Sequence, residues 1–286
     1  MQDGPLVEFE GRGALPALRL RHPSGAQAEV YLNGAHVTSW KLPDGEEMLF
    51  LSRLSRWERG RAIRGGVPLV FPQFGPGPLP QHGFARTGQW SAAGVETARD
   101  GSVGVSLTLE DSDATRAVWP HRFLARLTVA LKDGSLSLSL EVTNTDDAAF
   151  CFQAALHTYF RVSAIEAVTL EGLRGVEFLD SLRGGVRETE ERELITIGCE
   201  TDRIYADAPD TLSLADHGRG REVAIFSAGL PDVVVWNPWV EKSRRMEDFG
   251  DDEYSQMLCV ETGAILTPVT LEPGGRWTGR SVFEAG

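Results

Sequence analysis

Cysteine is scarce in this chain of 286 residues, with three copies. Cys151, Cys199 and Cys259 lie far apart and fit neither a metal-ligand spacing nor a disulfide framework, so reduced thiols and a cytoplasmic location are expected. Long apolar runs are missing. No window approaches the roughly 18 apolar residues that a membrane helix needs, and the opening MQDGPLVEFEGRG has no basic stretch followed by an apolar one, so no secretory leader is expected. Positive charge is short as well. Lys and Arg number 28 against 41 Asp and Glu, a net charge of −13, and so acidic a surface repels nucleic acid and anionic membranes. It still permits a small anionic ligand where several arginines converge. Helical periodicity, internal repeats, low-complexity segments and an internal linker are all lacking, and residues 1–286 are expected to form a single domain.

What is present is a period of two. In HRFLARLTVALKDGSLSLSLEVTNT the apolar residues Phe123, Ala125, Leu127, Val129 and Leu131 alternate, Lys132 to Ser135 reads as a turn, and Leu136, Leu138, Leu140 and Val142 alternate again. Residues 28–33, 102–110 and 222–227 repeat the signal. Short helices or turns are expected over Arg53–Arg61 and Asp111–Ala117. Gly at 31 and Pro at 15 suit many short strands joined by turns. The expected architecture is all-β, a large antiparallel β-sandwich.

Five stretches carry polar groups suited to chemistry. Residues 61–90 are mostly Gly- and Pro-rich loop holding Arg64, Gln81, His82 and Arg86, a set suited to an oxygen-rich or anionic ligand or to ordinary surface ion pairs. His157 lies in a strand-like run, AALHTYFRV, where a satisfied core histidine is the plainer reading. Asp202 in TDRIYADAP either accepts hydrogen bonds from sugar hydroxyls or caps a turn. Trp236 and Trp239 around Asn237-Pro238 either stack on a sugar ring or pack, and packing is the expectation. Asp251, Asp252 and Glu253 read as a solvated turn without calcium-loop spacing. Glu261, two positions beyond Cys259 on one strand face, would be a buried carboxylate, which is costly unless it is paired or used.

Taken together, the stretches RGGVP (64–68), FPQFG (71–75), LPQHGFAR (79–86), LHTYF (156–160), DRIY (202–205), WNPW (236–239) and CVE (259–261) resemble, in order, the hexose-6-phosphate mutarotases. That group is also called the glucose-6-phosphate 1-epimerases, a branch of the aldose 1-epimerase superfamily. The resemblance implies a galactose-mutarotase-like supersandwich, His157 as general acid and Glu261 as general base. It also implies that Arg64, Gln81, Arg86 and Asp202 bind a sugar phosphate, with His82 beside them at the ring. Mutarotation needs no cofactor, metal or covalent intermediate, and a monomer binding a small sugar phosphate is expected rather than an oligomer. The opposite charges of an imidazolium and a carboxylate are expected to favour that state in a partly buried site. A mutarotase of a neutral aldose and a non-catalytic carbohydrate-binding protein remain as alternatives, since the motifs do not name the sugar. Glycoside hydrolysis fits less well, because it usually takes two carboxylates about the scissile bond.

Overall fold

Alternation sets the sheets. A computed structural model describes residues 4–97 and 100–286. In the hairpin of Phe123–Lys132 and Ser135–Asn144 every second side chain is buried along most of the length, and pairing runs from Phe123 opposite Asn144 to Lys132 opposite Ser135. Asp133, at φ 27°, makes the turn between them. These two strands sit inside a nine-stranded antiparallel sheet with Val103–Glu110, Arg276–Ala285 and Arg221–Ala228 among its members. A four-stranded meander covers Leu6 to Lys41. The fold is the expected all-β sandwich.

The second large sheet holds the site. Its central strands run, neighbour to neighbour, Thr201–Tyr205, Asp232–Asn237, Met257–Leu271 and Phe150–Leu156, all antiparallel. Period two divides their side chains between two apolar clusters. Val233, Val235, Leu258 and Val260 face the core shared with the nine-stranded sheet. Val234, Trp236 and Cys259 face the other way, into a smaller cluster with Phe50, Tyr159 and Phe249. Glu261 is in step with Cys259 and opposite Val234, so it emerges on that second face.

Residues 53–61 form turns and irregular chain, and Asp113–Val118 is a short helix capped by Ser112, both within expectation. One expectation needs local revision. Residues 251–253 are not uniformly solvated. Glu253 is buried, accepting hydrogen bonds from the Ser52 hydroxyl at 2.6 Å and from the backbone N–H groups of Arg53 and Gly250 at 2.9 and 2.7 Å. It ties the loop after Ser243 to the segment before Arg64.

The loop from Arg64 is fixed by backbone contacts that only glycine allows. Gly66 has φ 62°, and a Cβ there would lie 2.2 Å from the Val37 carbonyl oxygen and 2.9 Å from His36 Nε2. Gly45 also has positive φ, but its added Cβ would meet nothing within 4 Å. Both alanine substitutions carry the backbone penalty, and only Gly66→Ala adds the clash. Gly66→Ala is therefore expected to lower unfolding free energy by more than about 1 kcal/mol beyond Gly45→Ala in urea titrations. Equal losses would show that the close approach is not a constraint.

Candidate active site

His157 does not lie within a strand. It occupies the two-residue break between Phe150–Leu156 and Tyr159–Arg161, both of which pair with Met257–Leu271. Thr262 is opposite Leu156 and Cys259 is opposite Tyr159, so the break falls beside Val260 and Glu261. The bent chain is held by His157 N–H to the Pro68 carbonyl at 3.0 Å and Tyr159 N–H to that of Gly66 at 2.9 Å. The imidazole enters the gap and brings Nε2 to 3.2 Å from Glu261 Oε1. His157 is 8 % exposed and Glu261 2 %, so the pair is largely shielded from solvent.

Burial governs protonation here. It drives the His157 pKa well below the usual imidazole range, and His82, Arg64 and Arg86 push in the same direction. It drives Glu261 well above the carboxylate range, with Asp202 adding to the rise and Arg86 opposing it. Both directions disfavour the charged forms and so favour a proton on Glu261 beside a neutral His157 in the free pair. Burial thus opposes the expected resting ion pair, because desolvating two charges works against their mutual attraction across one short contact. The two arrangements hold the same single proton, so transfer across the contact interconverts them.

Aromatic rings enclose the histidine. Tyr159 stacks on it with centroids 4.8 Å apart and planes 7° apart. Trp236 and His82 meet it nearly edge-on, at 6.1 and 5.6 Å. His82 has φ 65° and accepts a hydrogen bond at Nδ1 from Gly75 N–H, and burial brings its pKa down to about 3. Trp236 is thus a wall of the site, while Trp239 packs against Tyr254 away from it.

The basic candidates divide in an unexpected way. A cavity of about 380 Å³ beside Tyr159 is lined by Arg56, Arg61, Arg64 and Arg86 together with Glu247 and Asp248. Arg64 is not free. Its Nε and Nη2 each donate to Asp248 at 3.2 Å, and its Nη1 donates to the Tyr159 hydroxyl at 3.0 Å. Burial would lower its pKa, but Tyr159 and Asp248 outweigh that and the net shift is upward. Arg56 pairs with Glu247. Arg61 and Arg86 have no ion-pair partner among the described residues. Arg86 donates through Nη2 to the Gln81 carbonyl at 2.6 Å, and its Nε is buried without a partner. Gln81 itself is exposed and contributes its main chain.

Asp202 lies across the sheet, opposite Trp236, which is opposite Cys259. Burial raises its pKa, while a Ser181 hydrogen bond and Lys242, at 3.9 Å, pull it down. Asp202 is close enough to act on Glu261 electrostatically, which puts an acceptor on the side away from the arginines. Among the described residues, His157, Cys259 and Glu261 each offer one donor atom within 4.8 Å of the others. The set is ill suited to a cation, because burial holds the Cys259 thiol protonated and two guanidinium groups stand nearby. Sequence reasoning missed Arg56, Arg61, Tyr159 and Asp248. The density of arginine from 53 to 64 was the available signal for the first two.

The family model for aldose 1-epimerase matches residues 16–284. A protein of Cenchrus ciliaris provisionally named glucose-6-phosphate 1-epimerase is 43% identical over 274 residues, 93% of this chain and 83% of that protein. One of Escherichia coli with the same provisional name is 34% identical over 266 residues, covering 91% and 87%. The crystal structure of a provisionally named mutarotase from Salmonella typhimurium superposes with a TM-score of 0.91 at 30% identity, over 100% of this chain and 95% of that one.

Proposed function

The chain belongs to the aldose 1-epimerase family, and on that premise we propose that it interconverts the α and β anomers of a hexose 6-phosphate, with glucose 6-phosphate as the first candidate. The observation that supports this most is the 3.2 Å contact of His157 with Glu261, enclosed by aromatic rings and set beside an arginine-lined cavity. Glu261, as carboxylate, takes the proton from the C1 hydroxyl while His157, as imidazolium, gives one to the ring oxygen. The bond from C1 to the ring oxygen breaks and an open-chain aldehyde forms. Rotation about C1–C2 presents the other carbonyl face. The ring hydroxyl then attacks C1, returns its proton to His157, and the carbonyl oxygen takes the proton from Glu261. The cycle consumes nothing and leaves both residues as they began.

The catalytic tautomer is not the resting one, and the substrate supplies the difference. Sugar hydroxyls entering the site can donate to the carboxylate, since Glu261 Oε2 has no partner among the described residues. Asp202 accepts from hydroxyls at the far side, and Arg86 with Arg61 receives the phosphate. We read the chain as a single domain, a reading supported by the family match over residues 16–284.

Magnetisation-transfer NMR on glucose 6-phosphate, with glucose as comparison, tests the reading. Exchange should be faster on the phosphate. Its rate should be bell-shaped in pH. With His157 depressed and Glu261 raised, the one-proton pair spans neutrality. Activity should fall on the acid side as His157 gains a second proton, and on the alkaline side as Glu261 loses the shared one. A rate flat from about pH 5 to 9 would remove this pair from the rate-limiting step. Faster exchange of glucose would assign the protein to neutral aldoses with the same proton chemistry.

A further inference from the structure

A histidine that moves protons normally has its second ring nitrogen hydrogen-bonded to a group that fixes the ring plane and tautomer. His157 has none: its Nδ1 is buried and has no partner among the described residues. The ring must be held by something else. We propose that Tyr159 is the positioning residue of His157, acting through the stacked face of its ring, and that Arg64 and Asp248 serve to hold Tyr159. This rests on the acid role given to His157 above.

The geometry is specific. A phenol ring parallel to the imidazole within 7° at 4.8 Å leaves one plane in which Nε2 can reach Glu261. Trp236 stands nearly perpendicular to both rings, at 6.1 Å from His157 and 5.9 Å from Tyr159, and blocks rotation from the side. The phenol is anchored at both ends. Its main chain pairs with Cys259, and its hydroxyl accepts the Arg64 Nη1 hydrogen bond at 3.0 Å. Arg64 spends its remaining fork on Asp248, through two contacts of 3.2 Å. The loop carrying Asp248 is tied down in turn by buried Glu253, whose carboxylate accepts from Gly250 and Ser52. Arg64 is thereby a structural brace that also lines the ligand cavity. Its charge is already balanced, which leaves Arg61 and Arg86 as the cations available to an incoming anion.

Three variants separate positioning from bulk stability. Tyr159→Phe keeps the stacked ring and loses only the Arg64 bond, so kcat should fall by no more than about threefold. Tyr159→Leu removes the ring face, and kcat should fall by about tenfold with KM little changed, since small displacements of a reacting group are costly. Asp248→Asn unbalances Arg64 and releases part of its fork. It should lower kcat by about threefold while KM for the hexose phosphate falls or stays level. A merely structural contact would instead lower melting temperature and impair both constants together. The second readout does not depend on catalysis: the imidazole signals of His157 by NMR in the ligand-free protein. The groups facing that ring are His82, Arg64 and Arg86 from the loop, Tyr159 beside it, and Trp236, Cys259 and Glu261 from the sheet. Tyr159→Leu should displace the His157 signals and their titration, and Tyr159→Phe should restore them towards wild type. If Tyr159→Leu does not fold, Asp248→Asn decides the matter, since loosening Arg64 and with it Tyr159 should displace the same His157 signals, though less far. Wild-type kcat and unchanged His157 signals in folded Tyr159→Leu, or in Asp248→Asn where Tyr159→Leu does not fold, would overturn the proposal. Absence of hexose-phosphate exchange in the wild type would overturn the functional reading alone, and the NMR comparison would still judge the brace.

Discussion

Replacing His157 by Ala or Glu261 by Gln is expected to slow anomer exchange by about a hundredfold or more, because a general acid or base contributes about 10² to 10⁴ in rate. Each variant removes one end of the same proton path, so the double variant should be little slower than the worse single one. Stability gives an independent check on the resting state. Burial raises the proton affinity of Glu261 in the folded chain above its unfolded value. The unfolded chain therefore loses its proton first as pH rises, and this group's contribution to stability declines from the ordinary carboxylate range upward. Gln has no proton to lose and matches the shape of the neutral acid. Glu261→Gln should melt at or above the wild-type temperature at about pH 7. A lower melting temperature would mean that the free site rests as the imidazolium–carboxylate pair, whose rupture leaves His157 charged and alone. Near-native exchange in either folded variant would sink the catalytic assignment itself.

Arg86→Ala is expected to reduce kcat/KM for glucose 6-phosphate by about tenfold to a hundredfold, and that for glucose far less. Hydrogen bonds to a charged group contribute about 1.5–3 kcal/mol, and each 1.4 kcal/mol is about a factor of ten. The protein carries −13 overall, so a dianion approaches against the average field and depends on local charge. Of the arginines on the cavity, Arg64 and Arg56 are neutralised by Asp248 and Glu247, whereas Arg86 offers a buried Nε with no partner. Rising salt should weaken the phosphate sugar more than the free one, though mildly for a sheltered site. Equal losses on both sugars would mean that Arg86 holds the ring or tunes the proton pair.

The sheet was legible in the sequence where one face is buried. The hairpin from Phe123 to Asn144 shows its register in the apolar alternation alone. Glu261 was legible as an oddity, and strand period put it on the face of Cys259, where the structure has it. What the sequence did not show depends on partners distant along the chain. Arg64 and Asp248 are 184 residues apart, and nothing local marks one as the other's counter-ion. Glu253 looks like its neighbours Asp251 and Asp252, yet it alone of the three points inward, because the Ser52 hydroxyl and the Arg53 N–H wait for it 201 and 200 residues away. His157 read as a strand residue because Leu156 and Tyr159 on either side are strand residues. The break shows only in pairing, where Val260 N–H finds the carbonyl of Thr158 at 3.2 Å and the ladder skips.

The strand Met257–Leu271 has a consequence for synthesis. It lies between Asp232–Asn237 and Phe150–Leu156, which do not pair with each other. In a chain still lacking it, each of these two strands would have an edge without its partner, one of them the apolar run VVVW from Val233 to Trp236. Such edges recruit strands from other chains. The segment that brings Glu261 is therefore also the cover for the most adhesive part of the nascent protein.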